Sequence, residues 1–225
     1  TYQTINKMFL RSGASQERIQ YIKDKFVLDK RFLLYTGGFK RHKNLRFMIK
    51  AFSFALQKYN LDIDLVIPGK IRAHSGFAKD IYFDPAGLQR YAEKKKIKSR
   101  VKFIGYVGSH DLAILYRLAH AFISLSLYEG FGLPPLEAMA SGIPVIVSNT
   151  GAYPEIINGG GIIVYPHGIN RIAQAINRLF TDEIFYKQIV IKGMERVKFF
   201  DREKIARNVL KYYCEIYNNF YKQYK

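Results

Sequence analysis

At 225 residues, 48% of them hydrophobic, the chain can bury one large core or two small ones, which excludes a disordered tail. Its 36 Lys and Arg against 18 Asp and Glu give a net charge of +18, so its partners should be anionic: nucleic acid, an acidic membrane surface or phosphorylated substrates. A lone cysteine, Cys214, excludes an intrachain disulfide and suits a reducing cytoplasm.

No apolar run approaches the ~20 residues that span a bilayer, and no signal peptide is evident. The chain begins at Thr1 without a full domain before its first expected strand, so we expect a fragment or excised domain. Residues 1–30 read as a linker or N-terminal remnant, with helical spacing from Gln16 to Phe26. Residues 31–225 read as one domain with closing helices.

Arg31 to Thr36 predicts the first buried strand, broken by Gly37-Gly38. Asn44 or its neighbour opens a helix through Tyr59, with Leu45, Met48, Ile49, Phe52 and Leu56 on one face. Asp64 to Pro68 is the next strand, ending at Gly69-Lys70, and Ile71 to Asp84 reads as loop. A helix runs from Pro85 to Lys96, a strand from Arg100 to Gly105, and a helix from His110 to Ala119. Phe122 to Leu125 and Ile143 to Ser148 are further strands, followed by a short helix from Ala152 to Ile157. Gly161 to Tyr165 is the last strand. Gly168 to Phe180, Glu183 to Phe199 and Arg202 to Tyr224 close the chain as helices, and Cys214 falls in an apolar helical pattern that predicts burial. The alternation of short apolar strands with helices predicts an α/β fold: a Rossmann-like parallel sheet flanked by helices, with ligands at the strands' carboxyl ends.

The loops after those strands hold the chemistry. Tyr128 to Gly142 reads Y-E-G-F-G-L-P-P-L-E-A-M-A-S-G. Gly130 and Gly132 permit tight bends, and Pro134 and Pro135 fit the first turn of a helix that Gly142 ends. Strand, glycine loop and helix start together attract anions. The carboxylates Glu129 and Glu137 at its two ends suit hydroxyls instead. A ligand with both phosphates and sugar hydroxyls satisfies both halves. The plainer alternative is an ordinary helix start with Glu137 favouring the dipole. A second loop, Gly37 to Leu45, puts Lys40, Arg41, His42 and Lys43 directly after a strand, where they can stabilise a leaving diphosphate. Its plainer alternative is a solvated basic helix start.

Glu129-x7-Glu137, its filling and the continuation E-A-M-A-S-G-I-P-V-I resemble the signature of retaining glycosyltransferases with the two-domain GT-B fold, more narrowly family 4, which includes bacterial mannosyltransferases. The resemblance covers most of the chain from Arg31 onward. It implies one GT-B half, the C-terminal donor-binding domain, with the acceptor-binding N-terminal domain missing. It implies a hexosyltransferase using a GDP- or UDP-hexose, plausibly GDP-mannose, with a glycan or lipid-linked acceptor, no cofactor and no metal required. Glu129 and Lys43 would be catalytic. Glu137 would bind the ribose hydroxyls. The backbone of Gly130, Phe131, Gly132 and Leu133 would hold sugar and phosphates. Gly38 stands where family members carry an arginine, and Arg41 is the alternative cation. Tyr106 and Val107 either flank the base or simply end a strand.

His42, His74, His110, His120 and His167 have no metal-ligand spacing. Asp111 reads as a helix-start residue and Glu155, in G-A-Y-P-E, as a capping one. Lys94-Lys95-Lys96 reads as a solvated helix end. The total charge adds an anionic membrane surface to the expected partners, at ~1 kcal/mol per well-placed cation. The rival readings are a basic nucleic-acid-binding module using the seventeen tyrosines, and a GT-B-fold epimerase or phosphorylase. No RRM, KH or helix-turn-helix signature favours the first.

Overall fold

The computed structural model describes residues 3–10, 13–69 and 81–223. Lys70 and most of the loop expected from Ile71 to Asp84, His74 included, lie outside the described residues. Six short apolar runs form strands: β1 (Phe32–Leu34), β2 (Asp64–Pro68), β3 (Val101–Gly105), β4 (Ala121–Ser124), β5 (Val145–Ser148) and β6 (Ile162–Val164). The helices are α1 (Gln16–Phe26), α2 (Leu45–Tyr59), α3 (Pro85–Lys94), α4 (Ser109–Leu118), α5 (Leu133–Ala140), α6 (Tyr153–Ile157), α7 (Ile169–Thr181), α8 (Glu183–Val197) and α9 (Arg202–Gln223).

All strand pairs are parallel, in the order β3-β2-β1-β4-β5-β6. The expected Rossmann-like sheet is therefore present. The strands β1, β2, β4 and β5 are buried along their whole length. They lie inside the sheet with helices on both faces, which is why they read as unbroken apolar runs rather than alternating ones. The edge strands β3 and β6 are only partly covered.

The chain moves outward from β1 to β3, then returns to the other side of β1 for β4. Leu33 pairs with Ala121 and Leu34 with Phe122 across that reversal. The loops after β1 and β4 consequently leave toward opposite faces, and a crevice opens between them at the strands' carboxyl ends. One core layer lies under α2, α3 and α7, where Met48, Phe52, Ile172 and Ile176 are fully buried. The opposite layer lies under α1, α4, α5 and α6. Phe9, Ile22 and Leu28, which precede β1, are buried in that second layer.

The outer course of α9 departs from expectation. Ile205, near its start, packs on the core. Leu210, Tyr213, Ile216, Tyr217 and Phe220, farther along, are each more than half exposed. Cys214 is exposed with them, not buried. Its apolar periodicity is real, but the domain does not reach far enough along the helix to cover it. Among the described residues no helix is long and apolar enough to cross a membrane.

Two phenylalanines test this division. Phe122→Ala, at the sheet centre, should lower unfolding stability by ~3–5 kcal/mol through the cavity it leaves. Phe220→Ala, on the exposed stripe, should stay within ~0.5 kcal/mol. Urea denaturation of both variants measures the difference.

Candidate active site

The crevice is lined first by the loop joining β1 to α2. Tyr35, fully buried, donates its hydroxyl to the Gly38 carbonyl at 2.8 Å and so staples the loop from beneath. A 3-10 turn over Arg41–Lys43 follows, and Asn44 then takes a left-handed conformation at φ 57°. Its side chain caps no helix. Asn44 Nδ2 instead donates to the Leu125 carbonyl at 3.1 Å and to the Pro166 carbonyl at 3.4 Å. A buried amide thus joins the loops that follow β1, β4 and β6. The Leu127 amide, 2.7 Å from the His42 carbonyl, adds a second tie between the first two.

These ties bring Lys43 to Glu129. Lys43 Nζ lies 2.6 Å from Glu129 Oε1, and both side chains are about seven-eighths shielded from water. The Tyr153 hydroxyl donates to the same oxygen at 3.0 Å and lies 2.8 Å from Ser124 Oγ. Glu129 therefore faces the crevice with one oxygen already held from two directions. Burial, and then the charge of Glu129, push the Tyr153 phenol far above its ordinary range, so it remains a proton donor at any working pH.

Two glycines make this arrangement possible. An added Cβ at Gly132, which sits at φ 106°, would lie 2.8 Å from the Tyr153 ring. An added Cβ at Gly151, at φ 56°, would lie 2.7 Å from the Glu129 amide nitrogen and closer still to its carbonyl oxygen. Gly132 therefore makes room for the aromatic ring behind Glu129 as well as bending the chain. It also starts α5. Because Pro134 and Pro135 carry no N–H, the donors at this helix mouth reduce to those of Gly132 and Leu133, with Phe131 just before them.

Glu137 lies one turn into α5. Its Oε2 accepts from the Tyr116 hydroxyl at 3.0 Å, and that hydroxyl is 2.6 Å from Thr36 Oγ1. Burial raises the Glu137 carboxyl above the ordinary carboxylate range, while the Tyr116 bond pulls it partly back. Thr36 belongs to the loop that carries Lys43, so both carboxylates are tied to one segment, Glu129 directly and Glu137 through Tyr116. Partial burial, aided by the charge of Lys43, lowers the His42 ring below its ordinary value and favours its neutral form.

The remaining expected residues are spread along the same rim. Gly38 lies in the stapled turn at φ 74°. The Arg41 guanidinium lies 5.9 Å from the centre of the Phe83 ring. Tyr106 and Val107 follow edge strand β3, two strands away from β1; Tyr106 is exposed and Val107 packs against the second core layer. Asp111 is in the first turn of α4 as expected, and it pairs with Arg18. In G-A-Y-P-E the residue that reaches Glu129 is Tyr153. Glu155 stands in the first turn of α6, where the N-cap is Ala152. Tyr116, Tyr153 and Asn44 are thus the site residues that sequence reasoning misses. For the two tyrosines the one available signal is a polar tip on a side chain in an apolar pattern, since a buried tyrosine hydroxyl needs a partner. Among the described residues no group of three His, Cys, Asp or Glu is placed to hold a metal ion.

The family model described as Glycosyl transferases group 1 matches residues 17–196. Over 182 residues the chain is 28% identical to the O-antigen chain mannosyltransferase B of Escherichia coli, covering 81% of this chain and 45% of that protein. Over 179 residues it is 33% identical to a serotype-specific mannosyltransferase WbdA of Escherichia coli, covering 78% of this chain and 20% of that protein. The crystal structure of the C-terminal domain of a glycosyl transferase group 1 family protein (LpcC) from Francisella tularensis is similar with a TM-score of 0.69 at 27% identity, over 86% of this chain and 95% of that one. The chain therefore spans less than half the length of these two curated relatives.

Removing one phenol oxygen should loosen the site measurably. Tyr153→Phe deletes the bonds to Glu129 and Ser124 and should cost ~1–2 kcal/mol of stability by urea denaturation. Glu137 should also leave a pH signature. Its folded form binds a proton more tightly than its unfolded form, so stability falls as pH rises from the ordinary carboxylate value through the raised one. Glu137→Gln, whose amide oxygen can still accept from Tyr116, removes that titration. The Tm of the variant relative to the parent should therefore climb as pH rises above the ordinary carboxylate value.

Proposed function

Because the chain belongs to the glycosyl transferases group 1 family, we propose that it is the donor-binding half of a retaining hexosyltransferase of GT-B fold, moving mannose from GDP-mannose to a glycan or lipid-linked acceptor. The observation that carries this reading is the convergence of Lys43, Glu129 and Glu137 on the β1–α2 loop where the strand order reverses.

In this reading the pyrophosphate sits across the mouth of α5. Cleaving the bond between the anomeric carbon and the diphosphate leaves negative charge on the departing group. The Lys43 ammonium and the N–H groups of Phe131, Gly132 and Leu133 stabilise that charge, with Arg41 as the second cation and no metal required. The ribose lies over Glu137, whose fixed carboxylate accepts two vicinal hydroxyls. The base extends along the rim toward Gly38, Tyr106 and Val107. Glu129 faces the transferred sugar and, held by Lys43 and Tyr153, presents its carboxylate to the developing positive charge at the anomeric carbon.

The acceptor belongs to the N-terminal GT-B domain, and the apolar stripe of α9 offers that domain a surface. The work takes place at the cytoplasmic face of a membrane, where the net charge of +18 favours anionic lipid.

A thermal-shift panel with GDP, UDP, ADP, GDP-mannose and a short single-stranded DNA, at low and high salt, tests the assignment. The expected result is a guanine-selective shift that survives high salt and chelator, with little sugar transfer by the chain alone. Glu137→Gln should weaken nucleotide binding ~10–100-fold. A DNA shift erased by salt, with none from any nucleotide, would transfer the assignment to nucleic-acid binding.

A further inference from the structure

A concavity of about 390 Å³, sharing no residue with the Lys43–Glu129–Glu137 crevice, opens between α2, the end of α3 and the start of α7. Lys50, Ser53, Phe54 and Gln57 line it from α2, at the i, i+3, i+4 and i+7 positions of one helical stripe. Lys94, Lys95 and Lys96 face it from the end of α3, and Ile169, the first residue of α7, completes it.

Three features narrow its ligand. First, four lysines and no carboxylate line the cavity, and among the described residues none of the four forms an ion pair. Lysines often end a helix to serve its last carbonyls. Here the carbonyls of Tyr91, Ala92 and Glu93 already accept the amides of Lys95, Ile97 and Lys96, so the ammonium groups are not needed for that task. Second, Ser53 is 3% exposed, and its hydroxyl makes no hydrogen bond among the described residues. A helical hydroxyl with no other partner commonly returns to a carbonyl of the preceding turn, as Thr181 does to Asn177 at 2.8 Å. The Ser53 hydroxyl is therefore a buried donor left open to the cavity that it lines. Third, α7 starts at this rim with no side-chain cap and no acid in its first turn, which leaves the positive end of its dipole uncompensated.

We infer that this pocket binds a phosphate ester, at a site separate from the pyrophosphate position proposed in the crevice. Phosphate offers three strong acceptor oxygens and up to two charges, enough to engage several ammonium groups and the Ser53 hydroxyl together. Phe54 and Ile169 give the organic part of the ester an apolar surface. A lipid headgroup and a soluble phosphate ester both present this chemistry.

The test is an amide-resolved NMR titration of the 225-residue chain with inorganic phosphate and with glycerol 3-phosphate, beside flotation with phosphatidylcholine vesicles with and without phosphatidic acid, at one fixed salt concentration. The expected shifts centre on residues 50–57 and 94–96. The triple variant Lys50→Gln, Lys94→Gln, Lys95→Gln should bind at least about tenfold more weakly, and Ser53→Ala about three- to tenfold more weakly. A charge-matched control on exposed lysines outside the pocket, Lys23→Gln, Lys192→Gln, Lys198→Gln, should bind nearly as the parent does. Circular dichroism checks the fold of each variant, and the thermal shift with GDP should persist in all. Pocket-dependent binding of the soluble esters alone assigns a soluble ligand, and pocket-dependent vesicle binding assigns a lipid headgroup; either upholds the site. Equal losses in the two triple variants, indifference to Ser53→Ala, or no binding of any probe overturns it and leaves the transferase reading standing. A GDP shift that disappears with the pocket lysines overturns it as a separate site.

Discussion

A carboxylate oxygen gripped from two sides fixes the geometry of the crevice. Glu129 Oε1 meets an ammonium from the loop after β1 and a phenol from α6. Neither charge is well hydrated, so each needs the other. Removing one partner would leave an uncompensated ion in a mostly shielded place, which is far more costly than the pair is stabilising. The loop, the glycines and the helix start are all arranged so that these three groups can meet.

Rigidity comes from the layer below. Tyr35, Tyr116 and Tyr153 are buried phenols whose hydroxyls end at Gly38, at Thr36 and Glu137, and at Ser124 and Glu129 respectively. Each aromatic ring is anchored in a core layer while its tip sets one element of the crevice. Asn44 does the same for the backbone, tying three post-strand loops with one amide. Dipoles held this way need little reorganisation when charge develops nearby, which is the main resource of a site that works by electrostatics.

The strands and most helices are legible in the sequence because central parallel strands must be apolar throughout and the helices must be apolar on one face. Asp64 to Pro68 needs no correction at either end, and α2 begins one residue after Asn44. Glu129 and Glu137 stand out because acids are unusual in a glycine-proline anion loop. Tyr116 and Tyr153 do not stand out, because a tyrosine in an apolar helix has the same periodicity whether its hydroxyl serves a site or not. Asn44 is hidden for a related reason: an asparagine before a helix resembles a cap, and only the fold reveals the carbonyls it reaches. Cys214 fails in the opposite direction. Periodicity identifies an apolar face but not whether anything lies against it.

That exposed thiol has a practical consequence. Cys214 is the sole sulfhydryl in the chain and projects from the uncovered length of α9. A maleimide dye would attach at one known position, on a side chain that takes no part in the Lys43–Glu129–Tyr153 contacts. Its emission would then report when another surface comes to rest on that stripe, leaving the sugar-handling groups chemically untouched.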